Sequence, residues 1–326
     1  MIRHKGLVIY PHELSDYWVD RFLSTGLNLL GLHPVAFKTN GHETVDETIE
    51  WLKKSESRRL LDRLAGKGID IEYEVHALSW LLPRGLFSRR PEWFRMDENG
   101  NRTADYHFCH SNAEALECIS ERAKKLAGIL TPTTGRYHFW LDDGFTFECH
   151  CPRCKDSDYS KSDTAMTVYN AILAGVRAFD PKAKQCYLAY YPTAKAPQKV
   201  KPDNGIFLEY APMDRDQFLV LRNPASDKNK RTLGEIDNLL KVFTTKNAKV
   251  LDYWLDNSWY SGWKKPVKKF PFQADSAADD VSFYAEKGFE TITCFACYLG
   301  EEYYLLHNEE VDLRGYAESF SKYPVT

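Results

Sequence analysis

Two adjacent carboxyl groups, Asp142 and Asp143, stand out in the stretch RYHFWLDDGFTFECHCPRC, where they follow a short apolar run. When neighbouring carboxyl groups are partly buried, mutual repulsion and desolvation raise the pKa of one, so an acid and an anion coexist near neutral pH. Glycosidic cleavage needs such a proton donor and a partner for the positive charge at the anomeric centre. The alternative interpretation is a solvated turn, because Asp-Gly after a strand is a common turn signal.

A cysteine cluster follows the acid pair at once. Cys149, Cys151 and Cys154 form a C-x-C-x-x-C, and Cys109 lies upstream at the end of a long loop. Four thiolates from neighbouring loops could close a tetrahedral Zn²⁺ site, and four protein ligands would leave no position for a reacting water. We therefore expect a structural Zn²⁺ that holds two loops together. Disulfides or free core thiols are the alternatives.

The elements that position these groups repeat one sequence pattern, in which a helix ends in glycine and a short apolar strand follows. The pattern occurs at Gly26, Gly68 and Gly288, and it is typical of βα units. Eight strands are predicted, namely GLVIY, LNLLGLH, IDIEYEVH, RYHFWLD, KQCYLAYY, GIFLEY, KVLDYWLD and ETITCFACY. Alternating strands and helices predict an α/β fold, a single (β/α)8 TIM barrel that fills residues 1–326 as one catalytic domain.

An extended loop follows strand 3, from about Leu81 to His110, and is longer than a structural βα connection needs to be. In a barrel, such loops lie on the catalytic face. Ser111 and Glu114 then have capping-box spacing, which predicts a helix from about residue 112 to residue 130.

Strand 3 carries polar side chains on one face. The alternation in IDIEYEVH sets Glu72, Glu74 and His76 apart from the apolar residues between them. The polar face is expected to point into the barrel, because helices cover its outside. Buried carboxylates are costly unless paired or used, so a structural ion-pair network is the alternative interpretation for the two glutamates.

Strand 7 follows the same alternation in KVLDYWLD. Asp252, Trp254 and Asp256 share one face, which is again expected to point inward. Asp256 lies nearest the carboxyl end of this strand, where barrel enzymes carry their functional groups.

Composition limits the function classes. The 326 residues are 43% hydrophobic with a net charge of -3, and a nucleic-acid partner would leave a basic excess. No apolar run is long enough to cross a membrane, and the N-terminal apolar stretch is too short for a signal peptide; we expect no membrane partner and a cytoplasmic location. Aromatic residues make up 14% of the chain, with eight tryptophans, and loop tryptophans suit sugar stacking.

The acid pair followed by C-x-C-x-x-C, with an upstream loop cysteine, resembles barrels related to the family 42 β-galactosidases and their zinc site. That resemblance matches Asp143 to their acid/base. The segments PEWFRMDENGNR, FCHSN, LDDG, ECHCPRC and LDYW also resemble an uncharacterised bacterial group of hydrolase-like barrels, over about residues 90 to 300. Some members of that group are endo-β-N-acetylglucosaminidases.

The Asp-Asp pair itself resembles the paired acids of substrate-assisted hexosaminidases, such as families 84 and 123. The resemblance implies that Asp142 orients the acetamido nitrogen and that Asp143 is the general acid/base. Family 42 enzymes have Asn-Glu here and a nucleophilic Glu on strand 7, where this chain has Asp252 and Asp256. The departure favours a neighbouring-group mechanism over a covalent two-carboxylate one.

We therefore expect a retaining exo-β-N-acetylhexosaminidase that acts on a small glycan or glycoside carrying GalNAc or GlcNAc; a homo-oligomeric state stays open. Tyr191 and Tyr210, near strand ends, are candidates to hydrogen-bond the acetamide oxygen. The candidate sugar-binding residues are Trp254, Trp259 and Trp263 for stacking, and His33, Glu74, His76 and Asp256 for ring hydroxyls.

Two other functions remain open on the sequence. A conventional β-glycosidase would use Asp143 as the acid and Glu209 or Asp252 as the attacking carboxylate. A non-catalytic carbohydrate-binding barrel would bind a sugar without turning it over.

Overall fold

Eight parallel strands form a closed barrel in sequence order. The computed structural model describes residues 1–34, 41–105, 107–144 and 148–323, with the backbone alone for 41–44. The strands are β1 His4–Ile9, β2 Leu29–Leu32, β3 Asp70–His76, β4 Arg136–Trp140, β5 Lys184–Ala189, β6 Ile206–Tyr210, β7 Lys249–Asp252 and β8 Thr291–Phe295. All eight predicted strands and the predicted (β/α)8 barrel are confirmed.

Helices separate the strands. They are α1 Asp16–Leu23, α2 Gly41–Lys53, α3 Ser55–Ala65, α4 Leu78–Leu81, α5 Ala113–Ala127, α6 Pro152–Ser157, α7 Lys161–Phe179, α8 Asp227–Phe243, α9 Asn257–Tyr260, α10 Ala274–Lys287, α11 Glu301–His307 and α12 Leu313–Glu318. Gly288 ends α10 in the left-handed conformation, with a φ of 90° that favours glycine. Within the described ranges, none of these helices has the length and apolar character of a membrane span.

The residues group into two compact units by their contacts. Unit 1 contains residues 1–33, 51–72 and 208–326, and unit 2 contains residues 34–50 and 73–207. The expectation of one catalytic domain over residues 1–326 stays a prediction.

The interior of unit 1 holds a buried ion-pair triad. The Lys249 Nζ lies 3.0 Å from Glu209 Oε1 and 3.4 Å from Glu72 Oε2, and all three side chains are fully buried. Because β3 and β7 are not neighbours in the barrel, a contact between their side chains has to cross its interior. Glu72 therefore points inward as predicted, and it takes the structural role that was the alternative interpretation.

Strand β7 differs from its prediction. It ends at Asp252, and the Asp252 carboxylate binds Arg215 at 2.8 Å and accepts a hydrogen bond from the Tyr284 hydroxyl of α10. Since α10 follows β7 in the chain and packs outside the strands, Asp252 points outward instead of inward. The face assignment was inverted because a charged side chain on the helix side is tolerated once Arg215 neutralises it.

In unit 2, helices α5 and α7 pack closely. A Cβ atom on Gly175 of α7 would lie 2.1 Å from the Ser120 carbonyl oxygen and 2.9 Å from the Ala123 side chain, so only glycine fits. Asn112 is the N-cap of α5, and its side chain accepts a hydrogen bond from the Ala115 N–H. The predicted capping box at Ser111 is therefore displaced by one residue, since an asparagine next in line caps equally well.

The extended loop after β3 has structure of its own. Antiparallel bridges join Phe94 to Phe108 and Met96 to Arg102, so the segment folds back on itself. The Cys109 N–H then donates to the Trp93 carbonyl oxygen at 2.9 Å. This fold-back brings the upstream cysteine to a fixed position.

Candidate functional site

The acid pair of unit 2 lies just beyond the carboxyl end of β4. Asp142 is 5% exposed, and its Oδ2 accepts a hydrogen bond from the backbone N–H of Ser79 in α4 at 2.9 Å. Its Oδ1 is buried and has no hydrogen-bond partner among the described residues. One carboxylate oxygen is thus anchored, and the other is left as an acceptor without a donor.

Burial raises the pKa of Asp142 to about 6. The charges of Arg84 and His76 and the Ser79 N–H oppose this rise, and the neighbouring Asp143 adds to it. The sequence predicted a raised pKa for one acid of the pair. The buried Asp142 is that acid.

Asp143 has a different environment, since about half of its side chain is exposed. The Tyr190 hydroxyl donates a hydrogen bond to it, and His76 Nε2 lies 3.8 Å from its Oδ2. His76 Nδ1 lies 2.5 Å from the Leu141 carbonyl oxygen, so that nitrogen must carry a proton. In neutral His76 the Nε2 facing Asp143 is then an acceptor.

Tyr190 is a site residue that the sequence analysis missed in favour of Tyr191. The ring of Tyr187 packs on Tyr169 of α7, with centroids 5.4 Å apart, so residue 187 faces the helices. Side chains alternate along a strand, which turns Tyr190 to the opposite side. Burial and the nearby Asp143 raise the pKa of Tyr190, whereas Tyr191 is 43% exposed. The alternation around Tyr187 was the signal that could have found it.

A second group of polar side chains lies in unit 1, beyond β1 and β7. The Tyr10 hydroxyl donates to Ser258 Oγ at 3.0 Å, and that hydroxyl donates to Asp256 Oδ1 at 2.5 Å. Asp256 caps α9 by accepting from the Trp259 N–H. Burial raises the pKa of Asp256 to about 6, against these hydrogen bonds. Its role as a cap was not predicted.

Glu13 belongs to the same group in unit 1. Its Oε1 accepts a hydrogen bond from the Tyr298 N–H at 2.8 Å, and its Oε2 is buried without a partner among the described residues. Burial raises the pKa of Glu13 to about 8. The sequence gave no signal for it, because a glutamate in a short turn after β1 resembles any surface residue.

The remaining predicted sugar contacts of unit 1 fall into two sets. His33 lies near the rings of Tyr10 and Phe295, with centroids 6.3 Å and 5.3 Å away. Trp259 is partly exposed beside Tyr253, and Trp263 is 36% exposed. The two tryptophans keep exposed aromatic surface, whereas His33 is buried, with 9% of it exposed.

The structure corrects the placement of Trp254 and Tyr210. Trp254 is 3% exposed, and its Nε1 donates to Asp280 of α10 at 2.9 Å. Tyr210 is 2% exposed, and its hydroxyl donates to the Thr232 carbonyl oxygen of α8 at 2.8 Å. Both side chains pack against helices instead of reaching a sugar site, because the side-chain parity of β7 and the end of β6 was misjudged.

Three other predicted carboxylates are also buried. Glu74 of unit 2 is fully buried on β3, in register with His138 of β4, and it lies one alternation below His76. Of the two candidate nucleophiles in unit 1, Glu209 is paired with Lys249 and Asp252 with Arg215. A carboxylate held in a fully buried ion pair is poorly placed to attack a sugar.

The four predicted thiols of unit 2 lie together. The Sγ atoms of Cys109, Cys149, Cys151 and Cys154 are all within 4.8 Å of one another, a set that could hold a metal ion. Cys109 Sγ is 3.6 Å from the sulfurs of Cys151 and Cys154. Four sulfurs at about 2.3 Å from a tetrahedral zinc would be about 3.8 Å apart, so the spacing fits that geometry and not a disulfide.

Backbone and side-chain donors surround these sulfurs. The Met96 N–H lies 3.3 Å from Cys149 Sγ, and an Arg102 guanidinium nitrogen lies 3.7 Å from it. Ser111, which the sequence analysis had assigned to a helix cap, instead has its Oγ 3.1 Å from Cys154 Sγ. Such donors favour thiolates, the form that binds metals.

The family model described as "Domain of unknown function (DUF4838)" matches residues 36–319. A comparison with curated proteins finds no match to the sequence. Among solved structures, an endo-beta-1,4-glucanase from Xanthomonas axonopodis pv. citri is similar at 8% identity and a TM-score of 0.53, over 98% of this chain and all of that one.

Two further similar structures are named as family 5 glycoside hydrolases. A xyloglucan-specific endo-beta-1,4-glucanase from a metagenomic library, in complex with cellotriose, is 11% identical over 96% of this chain and 88% of that one, with a TM-score of 0.50. A Bacteroides ovatus xyloglucanase bound to a heptasaccharide is 12% identical over 98% and 74%, also at 0.50. At these identities the likeness shows the barrel fold alone.

Proposed function

The chain belongs to the family described as a domain of unknown function (DUF4838), so we propose its activity from its own residues: it is a glycoside hydrolase of the retaining exo-β-N-acetylhexosaminidase type. The observation that carries this proposal is the contrast between the two adjacent acids. Asp142 is buried, and one of its oxygens has no partner in the part of the chain that the structure describes. Asp143 is half exposed beside His76 and Tyr190.

Asp143 acts as the general acid/base. Its exposed half can reach a leaving-group oxygen, and His76 and Tyr190 line its other side. Asp143 gives its proton to the glycosidic oxygen as that bond breaks, and the same carboxylate later takes a proton from the attacking water.

Asp142 orients the 2-acetamido group. Its free Oδ1 accepts the acetamide N–H while the Ser79 N–H holds Oδ2 in place. The polarised acetamide oxygen attacks the anomeric carbon, which forms an oxazoline-type intermediate and expels the protonated leaving group. Tyr190 takes the role predicted for Tyr191: its hydroxyl donates to Asp143 in the free protein, and it turns to donate to the acetamide oxygen once Asp143 carries the proton for the leaving group.

Two observations favour a glycan substrate and a neighbouring-group mechanism. The three similar structures named above are enzymes that act on glucans or xyloglucan, and barrel enzymes work at the carboxyl ends of their strands, where Asp142 and Asp143 lie. The conventional alternative is disfavoured, because Glu209 and Asp252 are both in buried ion pairs.

The test compares aryl β-glycosides of GlcNAc, GalNAc, glucose and galactose. The wild type should cleave an N-acetylhexosaminide at least about a hundredfold faster than the 2-hydroxy sugars, because only the acetamide supplies the nucleophile. Equal rates on the 2-hydroxy sugars would overturn the assisted mechanism, and no turnover on any of the four would overturn the hydrolase proposal.

Leaving groups separate the roles of the two acids. Asp143→Asn should lose about 10²- to 10⁴-fold on a phenyl glycoside but far less on a 2,4-dinitrophenyl glycoside, whose departure needs no proton. Asp142→Asn should lose rate on both. The matched control is Asp62→Asn, at an exposed position of α3, which should leave both rates unchanged.

We also propose that Cys109, Cys149, Cys151 and Cys154 bind one structural Zn²⁺. The zinc would hold the loop after β3 to the loop after β4, and would leave the chemistry to the acid pair. Metal analysis of the purified protein should find about one zinc per chain, and Cys151→Ser should lower that content, because a tetrahedral site would be left one thiolate short. Cys118→Ser, at a thiol outside the cluster, should leave the content unchanged; equal zinc in both variants would contradict the site.

A further inference from the structure

Unit 1 has a surface cleft whose lining does not include Asp142 or Asp143. It has a volume of about 270 Å³ and lies between the segment after β6, the start of α8 and the short helix α9. Its lining residues are Arg215, Asp216, Gln217, Phe218, Lys228, Trp259 and Tyr260. Pockets for drug-sized ligands run from about 300 to 1,000 Å³, so this one suits a single ring.

Gln217 supplies the sharpest sign of a ligand. The residue is 7% exposed, and its buried Oε1 has no hydrogen-bond partner among the described residues. Buried amide groups are nearly always paired, and an unpaired one loses the hydrogen bonds it would make in water. A ligand hydroxyl in the cleft would restore that bond after a small rotation of the terminal amide.

Aromatic side chains form the apolar part of the cleft. Trp259, Tyr260 and Phe218 are each partly exposed, and Phe218 packs edge-on against Tyr260 with centroids 5.6 Å apart. Rings fixed in this way lose little freedom on binding. They present flat faces that suit the CH-rich face of a pyranose.

The charges favour a neutral ligand. The guanidinium of Arg215 is fully buried and already bound to Asp252 and Asp280, so it offers nothing to an anion. Lys228 and Asp216 add opposite charges to the rim of the cleft. The combination of flat aromatic surface, one amide and balanced charge is typical of sugar recognition.

We propose that this cleft is a carbohydrate-binding site for one pyranose unit of an uncharged glycan. Trp259 stacks on the sugar face, and the Gln217 amide hydrogen-bonds a ring hydroxyl. The proposal goes beyond hydrolysis, because binding here does not require that Asp142 and Asp143 cleave anything.

The experiment measures binding in the Asp143→Asn background, so that turnover does not consume the ligand. Chitotriose, cellotriose and galactobiose are titrated separately by isothermal calorimetry and by tryptophan fluorescence. At least one should bind with a saturable fluorescence change. Trp259→Ala should weaken that binding at least about tenfold, because it removes the stacking face.

Gln217→Met tests the amide without changing the packing. Because Oε1 has no partner to lose among the residues that the structure describes, the variant should keep or raise the melting temperature while binding weakens about three- to tenfold. Tyr304→Ser, at an exposed aromatic residue outside the cleft, should bind as the parent does.

The outcomes separate this proposal from the one on catalysis. Binding that is equally strong in Trp259→Ala and Gln217→Met would overturn the cleft, and so would no binding of any trisaccharide or disaccharide at millimolar concentration. Binding through this cleft together with no hydrolysis of any aryl glycoside would support the binding-site proposal and overturn the hydrolase proposal.

Discussion

At the scale of single residues, the burial of Asp142 sets a pH dependence. Its pKa is raised to about 6, so the carboxylate that accepts the acetamide N–H exists above that pH and is lost below it. We expect kcat/KM to fall as the pH is lowered through about 6, because kcat/KM reports ionisations of the free enzyme.

Whether kcat/KM falls on the acidic or the basic side of about pH 6 decides which of the two acids donates the proton. If Asp142 were the proton donor instead, kcat/KM would fall as the pH rises through about 6. A profile measured from pH 4 to 9 on a GlcNAc aryl glycoside distinguishes the two, and Asp142→Asn should abolish the fall in kcat/KM in either case.

Tyr190 and Tyr191 form a natural matched pair. Tyr190→Phe removes the hydroxyl that donates to Asp143, and we expect kcat to fall about 10²-fold, because the reacting groups lose a contact that positions them. Tyr191→Phe removes a hydroxyl from a side chain that is 43% exposed and should leave kcat within about twofold. Steady-state rates that change equally in both variants would reject the assignment of Tyr190.

At the scale of elements, the strands were predictable because each is a short apolar or alternating run that glycine or a polar turn bounds. The end of β7 was not predictable. The apolar alternation of KVLDYWLD continues past Asp252, but the chain turns there into α9, which Asp256 caps. The inverted face followed from Arg215, a distant residue whose pairing with Asp252 no local pattern reveals.

The candidate site was predictable where spacing alone defines it. The acid pair and the cysteine cluster are close in sequence, and one upstream loop thiol completes the cluster. Ser79, Arg84 and Glu13 were missed, because they act through burial and backbone contacts that arise only when loops fold.

The cap of α5 can be tested by a neighbouring pair of substitutions. Asn112→Ala removes the side-chain acceptor for the Ala115 N–H and should lower the free energy of unfolding by about 1 kcal/mol. Ser111→Ala leaves that cap intact and should lower it less. Urea unfolding of both variants measures the difference. A larger loss of unfolding free energy for Ser111→Ala would indicate that Ser111 is the N-cap.

At the scale of the whole molecule, the triad of Lys249, Glu72 and Glu209 ties three strands across the barrel interior. Lys249→Met removes the cation that Glu72 and Glu209 share, and breaking a buried pair costs about 3–5 kcal/mol. We expect a loss of that size in urea unfolding.

The matched control replaces all three side chains. A Lys249→Met, Glu72→Gln, Glu209→Gln variant removes the charges together and should recover most of the loss, because uncharged amides are less costly to bury than carboxylates. If the single variant unfolded at the same urea concentration as the parent, the triad would have no structural importance.

The close packing of α5 on α7 at Gly175 also bears on how an ion would enter the thiol cluster. Cys109 lies shortly before α5, and Cys154 lies shortly before α7, so the clamped helices hold the ligands in position in advance. Metal binding by the apoprotein should then occur without coupled folding. Calorimetry should record a heat of binding with almost no change in heat capacity, whereas a zinc finger folds around its ion and shows a large change.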